Sequence, residues 1–566
     1  MNFDGIGLGF SGPAGSFTVN SAPPDTNGAV GETQYVQIVN TALAVFNKTT
    51  GAVVLGPVAT YTLWAGFGGG CQTNNDGDAS VVYDKIAKRW VITQFSVTTL
   101  PYLECVAVST TSDATGTYYR YSFDYGNTAF PDYPKMAAWP DGYYITYNIF
   151  DGGTTFAGAK VCAFERAKML VGQPATQQCF NTSTAYGGLL PSDMDGAALP
   201  PAGSPNPVLG LGTTNGLVSW KFHVDWTTPA NSTFTGPTSI ATPAYVLPCG
   251  GTGGICVPQA GTTQQLDTLG DRLMHRLAYR NFGDHEALVL NHSVTTSVPS
   301  VGVRWYEIRD PNGTPVVYQS STYVPDATFR WMGSIAMDKA GNIAMGYSAS
   351  SSTINPAIRF TGRLVGDPLG TMQAETNIIA GTGSQTGSSP LSRWGDYTAM
   401  TIDPVDDCTF FYTNEYLKAN GTFNWSTRIA SFKLPGCGAT TSDFSISASP
   451  SSLSIAQNAS GASTISTAVI GTAGTVSFGI LGVPTGATAA FNPTSVTAGA
   501  NSTLTFSAGT AAPGTYTVTV RGTEGAVVHD TLVSLTITAG AVNDFSISAA
   551  PTSLSLSPNE IGRAHV

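Results

Sequence analysis

With 566 residues the chain has room for about three to five domains, and only 11% of it is charged, less than half of the ~25% usual in a soluble domain. Its 64 glycines and 34 prolines favour turns over helices, its 42% hydrophobic content excludes wholesale disorder, and no apolar run is long enough for a membrane-spanning helix. A net charge of -11 argues against electrostatic binding to nucleic acid or to an anionic membrane.

In chain order, the opening MNFDGIGLGF has neither a basic n-region nor an apolar h-region, so no signal peptide is present in this sequence. The eight cysteines nevertheless point to an exported, secreted or cell-surface protein. They fall in close pairs, Cys71 with Cys105, Cys162 with Cys179, Cys249 with Cys256 and Cys408 with Cys437. None forms a CxxC, so disulfides are a better reading than a zinc or redox site, and nearest-neighbour pairing is the expectation.

From about residue 20 to 437 one unit recurs: an apolar strand, a turn rich in Asp, Gly or Pro, and a second apolar strand. The clearest copies are DASVVYDKIAKRWVITQF, YPKMAAWPDGYYITYNIF, WMGSIAMDKAGNIAMGYS and GDYTAMTIDPVDDCTFFYT, and weaker ones start at 26, 193 and 271. Seven hairpin repeats of about 62 residues predict an all-β fold, a seven-bladed β-propeller over 1–440. A large sandwich with hairpins alike by chance is the alternative.

Aligned on the residue that starts each turn (Gly31, Asp84, Pro140, Pro200, Arg280, Asp338, Asp403), the repeats share a charged position six to eight residues earlier. It is Asp25, Asp78, Asp132, Asp193, Arg272, Arg330 and Asp396 in turn, at the start of what would be the innermost strand of each blade. The functional reading gathers these groups at the mouth of a central channel. Asp132, Asp396, Asp78 and Asp193 are then candidate catalytic acids and bases. Arg272, Arg330 and Arg393 are candidate clamps for a substrate carboxylate, and Trp331, Trp394, Tyr133 and Tyr397 are candidate faces for sugar rings. The structural reading has each Asp capping backbone N–H groups between blades.

From 441 to 541 the composition shifts to Ser, Thr, Ala, Gly and Val with period-2 alternation, as in STLTFSAG and GTYTVTV, which predicts a β-sandwich. NDFSISAAPTSLSLSPN then repeats SDFSISASPSSLSIAQN, so 542–559 reads as the truncated start of a second copy. EIGRAHV at 560–566 reads as a translated sequencing adapter.

Through PTGATAAFNPTSVTAGANSTLTFSAG and PGTYTVTV the C-terminal stretch resembles bacterial Ig-like modules, which implies an Ig-like β-sandwich serving as spacer, anchor or glycan-binding accessory. In architecture and in the register of Arg272, Arg330 and Arg393, the N-terminal region resembles sialidase-type propellers. Departures from that family are the absence of any S-x-D-x-G-x-T-W Asp-box in the chain and the family's six blades. PPDTNGAVG, DYPKMAAWPDGYY and SRWGDYTAMTIDP resemble motifs of secreted bacterial proteins, which implies no activity.

Other chemistries find less support. His275, His285 and His292 lack an HExxH spacing, G-x-S-x-G and CxxCH are absent, and GFGGG precedes no dinucleotide-binding unit. TNNDGDAS could place Asp76 and Asp78 on a structural calcium, though a plain Asx turn explains it as well; no other cofactor is expected. Two functions remain: a glycoside hydrolase-like enzyme acting on a polysaccharide or glycoconjugate, and a non-catalytic propeller that binds glycan or protein on an Ig-like stalk. A monomer is expected in either case.

Overall fold

The computed structural model describes residues 1–212, 216–387, 391–438, 442–540, 544–550 and 552–553. The chain divides into two compact units, Met1–Gly438 and Ala439–Val566.

In the first unit the described residues form seven groups of four antiparallel strands and two small hairpins, Ser11–Gly12 with Gly15–Ser16 and Ile255–Gln259 with Thr262–Asp267. Each group begins with an inner strand: β1 (Asn27–Val30), β2 (Ser80–Asp84), β3 (Ala129–Trp139), β4 (Leu190–Asp195), β5 (Met274–Asn281), β6 (Phe329–Met337) and β7 (Ala399–Ile402). Each inner strand lies beside the next, and β7 lies beside β1, so the series closes into a ring. Between β4 and β5 the contact is a parallel pairing, Asp193 opposite Ala278. Closure uses both ends of the unit: Asn2–Asp4 is the outer strand of the seventh group and pairs with Trp425–Lys433, Asn2 opposite Ala430.

Burial explains the strand sequences. Inner strands are flanked on both faces by neighbouring sheets, so β1 and β7 are buried at every position, and their sequences do not alternate between apolar and polar. Outer strands such as Thr233–Ile240 are mostly exposed and carry Ser and Thr. The apolar clusters lie between successive sheets: Val36, Ile38, Val81 and Trp90 join the first to the second, and Val289, Trp305, Ile335 and Met345 the fifth to the sixth. All four disulfides follow the nearest-neighbour pairing.

Two repeats differ from the expected register. β4 ends at Asp195, so its turn starts at Gly196 and not at Pro200, and six to eight residues earlier lie Gly188 to Leu190, with no charge. Asp193 sits deep in the strand instead. β5 runs through Arg280 to Asn281, which moves the shared position from Arg272 to the segment Met274, His275, Arg276. Local turn residues misplace both because a Pro-rich loop and a charged strand end imitate turns.

In the second unit two sheets share one core. Ser442–Ser449, Ser460–Gly471, Asn501–Ser507 and Thr488–Asn492 form one, in that order. Ser452–Ala456, Val527–Thr538, Gly514–Glu524, Thr475–Leu481 and Ser495–Thr497 form the other. Ile465, Leu504 and Phe506 of the first meet Val518, Val533 and Leu535 of the second, as the alternation along Asn501–Ser507 requires. Of the expected second copy at 542–559 only 544–550 and 552–553 are described, and they form no strand; 560–566 lies outside the described residues.

A candidate active site at the start of the inner strands

A residue in the left-handed region stands just before β1 and β2, Asp25 (φ 47°) and Asp78 (φ 43°), and inside β3 and β6, Tyr133 (φ 58°) and Met332 (φ 50°). Asp adopts this conformation more readily than most side chains, which gives two of the ring acids a backbone role. In β3 and β6 the pairing register shifts at the same place, between Asp132 and Lys135 and between Trp331 and Ser334. Such bulges turn side chains that would alternate toward one side.

Two ring acids tie neighbouring sheets together. Asp25, buried, accepts the N–H of Asp396 at 2.7 Å on Oδ1 and the Asn40 amide on its other oxygen. Asp78 Oδ2 accepts the N–H of Tyr133 at 3.2 Å. Burial first, and then the charge of neighbouring acids, raises the proton affinity of both: Asp25 well above the usual carboxyl range, and Asp78 to about 7 despite Lys135. Asp396 is held differently, by an ion pair with Arg393. Asp132 is half-buried; burial raises its pKa, Lys135 and Arg272 lower it, and the negative charge of Asp396 raises it further.

Lys135 lies at the centre of this group. Its side chain is buried, its ammonium donates to the Pro134 carbonyl at 2.9 Å, and it sits 3.3 Å from the ring centroid of Tyr133 and 3.9 Å from that of Tyr397. Burial lowers its pKa to about 8, against the opposing pull of Asp78, Asp396 and Asp25. The Arg272 guanidinium lies 4.7 Å from the same Tyr133 ring and pairs with Asp271. Buried His275 receives the Asn27 amide on Nε2 at 3.3 Å, and burial holds its pKa well below the ordinary value, so it is neutral. Deeper still, Glu104 and Glu415 are buried and their pKa values rise to about 8, by burial above all. Glu415 accepts the Gly395 N–H at 2.8 Å.

Asp78, Asp132, Asp396, Tyr133, Tyr397, Arg272 and Arg393 are thus neighbours in one cluster. Asp193 and Arg330 belong to other networks. Asp193 accepts Arg276 Nε at 2.8 Å and the Ala138 N–H at 3.0 Å, beside a second Arg276 pair with Asp195. Arg330 has no exposed surface and is bound bidentately by Glu375, 2.9 and 2.8 Å, and by Asp326, 2.9 Å. Trp331 and Trp394 pack 5.8 Å apart with no exposed surface, so neither presents a face to solvent. Asp76 accepts the N–H groups of Val97 and Thr98 and the Thr98 hydroxyl, an Asx-type cap. Among the described residues no three His, Cys, Asp or Glu side chains are arranged to hold a metal ion.

Sequence reasoning passed over Lys135, Glu104 and Glu415, and weighed His275 only as a metal ligand. Lys135 left a trace, a lone cation inside the otherwise apolar run KMAAW; the others lie in strands whose partners are remote. Beside Arg272 a pocket of about 290 Å³ is lined by Asn148, Phe150, Phe156 and Gly187, so the aromatic surface next to the cluster belongs to phenylalanines of the third sheet.

No protein-family model matches the chain, and no curated protein matches it in sequence. Solved structures similar to it include the following three. PorZ of Porphyromonas gingivalis, described as an essential bacterial surface component of the type-IX secretion system, is 10% identical over 92% of this chain and 71% of its own, with a TM-score of 0.23. A bifunctional GH43-CE protein of Bacteroides eggerthii is 9% identical over 81% of this chain, which spans about half (52%) of that protein, with a TM-score of 0.25. The Hadza microbial sialidase Hz136 is 9% identical over 71% of this chain and 74% of its own, with a TM-score of 0.23.

Proposed function

We propose that this protein is an extracytoplasmic glycan-cleaving hydrolase, in which the seven groups of strands are the blades of a seven-bladed β-propeller and the second unit is an Ig-like β-sandwich. Four disulfides support the compartment. The observation that carries the activity is the opposed environment of two neighbouring carboxyls, Asp132 inclined to keep its proton and Asp396 paired with Arg393.

Glycosidic cleavage needs such a division of labour. Asp132, half-exposed, donates its proton to the leaving glycosidic oxygen, while the Asp396 carboxylate activates water or attacks the anomeric carbon. The positive charge of Arg272 and Lys135 near Asp132 favours its carboxylate once the proton has left. Arg272 and the Phe150 and Phe156 pocket receive the sugar. Asp78 and Asp25 hold the inner strands in register by their backbone bonds.

A second reading, a glycan- or protein-binding propeller without catalysis, is favoured by one observation: Asp25 and Asp78 spend their carboxyl oxygens on neighbouring sheets. Turnover of a polysaccharide panel by the full chain, with Asp132→Asn and Asp396→Asn, separates the two. The hydrolase reading expects each variant to lose 10²-fold or more, as general acid–base catalysis is worth about 10² to 10⁴, while glycan binding persists. Binding without turnover by the unmutated chain selects the second reading.

A further inference from the structure

Asn148 stands directly opposite Asp132 in the pairing of β3 with Gly142–Asp151. Residues so placed leave the sheet on one face, with β-carbons about 4.5 to 5.5 Å apart. Asn148 is 8% exposed and lines the pocket of about 290 Å³ beside Arg272. Its Oδ1 accepts the Gly188 N–H at 2.8 Å, which fixes the orientation of the amide. Among the described residues its Nδ2 has no partner, so what Asn148 offers the pocket is a donor alone. A buried donor without an acceptor is costly, and a ligand that brings an acceptor removes that cost.

The rest of the lining says which acceptor. Phe150 and Phe156, ring centroids 5.6 Å apart, make an apolar wall. At Gly187 a β-carbon would come 3.0 Å from the Phe156 ring and 3.2 Å from Asn148 Oδ1, so glycine keeps that side clear. Arg272 is the only cation in the lining and Asp271 pairs with it, so the pocket has no net charge and favours a neutral ligand over an anion. The Asp271 carboxylate is 48% exposed and keeps lone pairs beyond those that Arg272 uses. A neutral group with a carbonyl for Asn148, an N–H for Asp271 and a methyl for the two phenylalanines is an acetamide. An ester lacks the N–H, and a hydroxyl lacks the methyl. The volume is about twice the ~150 Å³ of a cavity that takes benzene, which leaves room for a sugar ring beside the substituent.

We propose that this pocket is the subsite for a 2-acetamido sugar, its carbonyl against Asn148, its N–H against Asp271 and its methyl on Phe150 and Phe156. Binding stands on the pocket alone, whereas cleavage of the sugar's glycosidic bond at Asp132 rests on the hydrolase reading.

Ligand-observed NMR of the full chain with N-acetylglucosamine and N-acetylgalactosamine, against glucose and galactose, tests the proposal. The expected result is that one acetamido sugar binds at least tenfold tighter than its parent, with the strongest saturation transfer at the acetyl methyl. Asn148→Asp, which keeps the acceptor for Gly188 and removes the donor, should weaken it at least tenfold. No binding of either acetamido sugar, equal binding of the parents, or unchanged affinity in Asn148→Asp overturns the proposal. Should circular dichroism show Asn148→Asp unfolded, the preference of the unmutated chain and the weakening in Phe156→Ala decide the matter. Selective binding with no turnover of any glycan overturns the hydrolase reading and leaves the subsite standing. Turnover of glycans with no preference for acetamido sugars in binding does the reverse.

Discussion

The ammonium of Lys135 stands 3.3 Å from the ring centroid of Tyr133, two residues before it on the same strand, with the Tyr397 ring 3.9 Å away. Two aromatic faces thus surround a buried cation whose hydrogen bond goes to the Pro134 carbonyl, and cation–π attraction offsets part of its desolvation. The acids of the cluster feel that charge.

Lys135→Met therefore changes Asp132. The cation lowers the Asp132 pKa, so its removal moves the titration midpoint of Asp132 to higher pH. NMR titration of ¹³C-labelled aspartates reads this directly, and the alkaline limb of the pH–rate profile moves with it if Asp132 is the proton donor. An unmoved midpoint contradicts the electrostatic coupling.

Glu104→Gln makes stability less dependent on pH. In the fold Glu104 keeps its proton to about 8, against an ordinary value of 4.5. Between these two values the folded state binds the extra proton, so this group's contribution to stability falls as pH rises from about 4.5 to about 8. The glutamine variant gains on the unmutated chain across that window and matches it near the lower end. At about 1.4 kcal/mol per pH unit, a gain on the order of 5 kcal/mol at the upper end is expected. Urea unfolding at the two ends of the window measures it.

Asp193→Ala destabilises the fold. It strips a buried guanidinium, Arg276, of one of two carboxylate partners, a change of about 3 to 5 kcal/mol. Denaturant unfolding will show a lowered midpoint. Loss of turnover at full stability would instead mark Asp193 as a catalytic group.

Replacing Cys71 and Cys105 together by Ala costs about 3 to 4 kcal/mol, the loop-closure entropy of their 34-residue separation. The seven-residue separation of Cys249 and Cys256 predicts a smaller loss. Paired urea curves test the order, which is independent of any activity.

Much of the first unit was legible in the sequence. Apolar runs with a turn rich in Asp, Gly or Pro between them gave hairpins at YPKMAAWPDGYYITYNIF and WMGSIAMDKAGNIAMGYS, found as β3 and β6 with their partners. The acids in the register of Asp25 and Asp78 were visible as well, and the left-handed backbone at both explains why Asp stands there. The site was legible only in part. Asp193 and Arg330 carried the same formal signature as Asp132 and Arg272, yet each is closed off by partners, Arg276 in one case and Glu375 with Asp326 in the other. Trp331 and Trp394, as good as any aromatic on paper, lie wholly in the core.

What sequence alone determined is local: strand periodicity, turn chemistry, close cysteine pairs and a scarcity of charge, all set within a few residues by backbone sterics and burial. Tertiary structure decided which charges meet. Asp25 accepts the N–H of a residue 371 positions away, Arg276 meets Asp193 across 83, and Lys135 finds Tyr397 only because β7 closes beside β1. Proton affinity and counter-ions depend on what surrounds a group in space, and ring closure, which no single repeat encodes, fixes those surroundings.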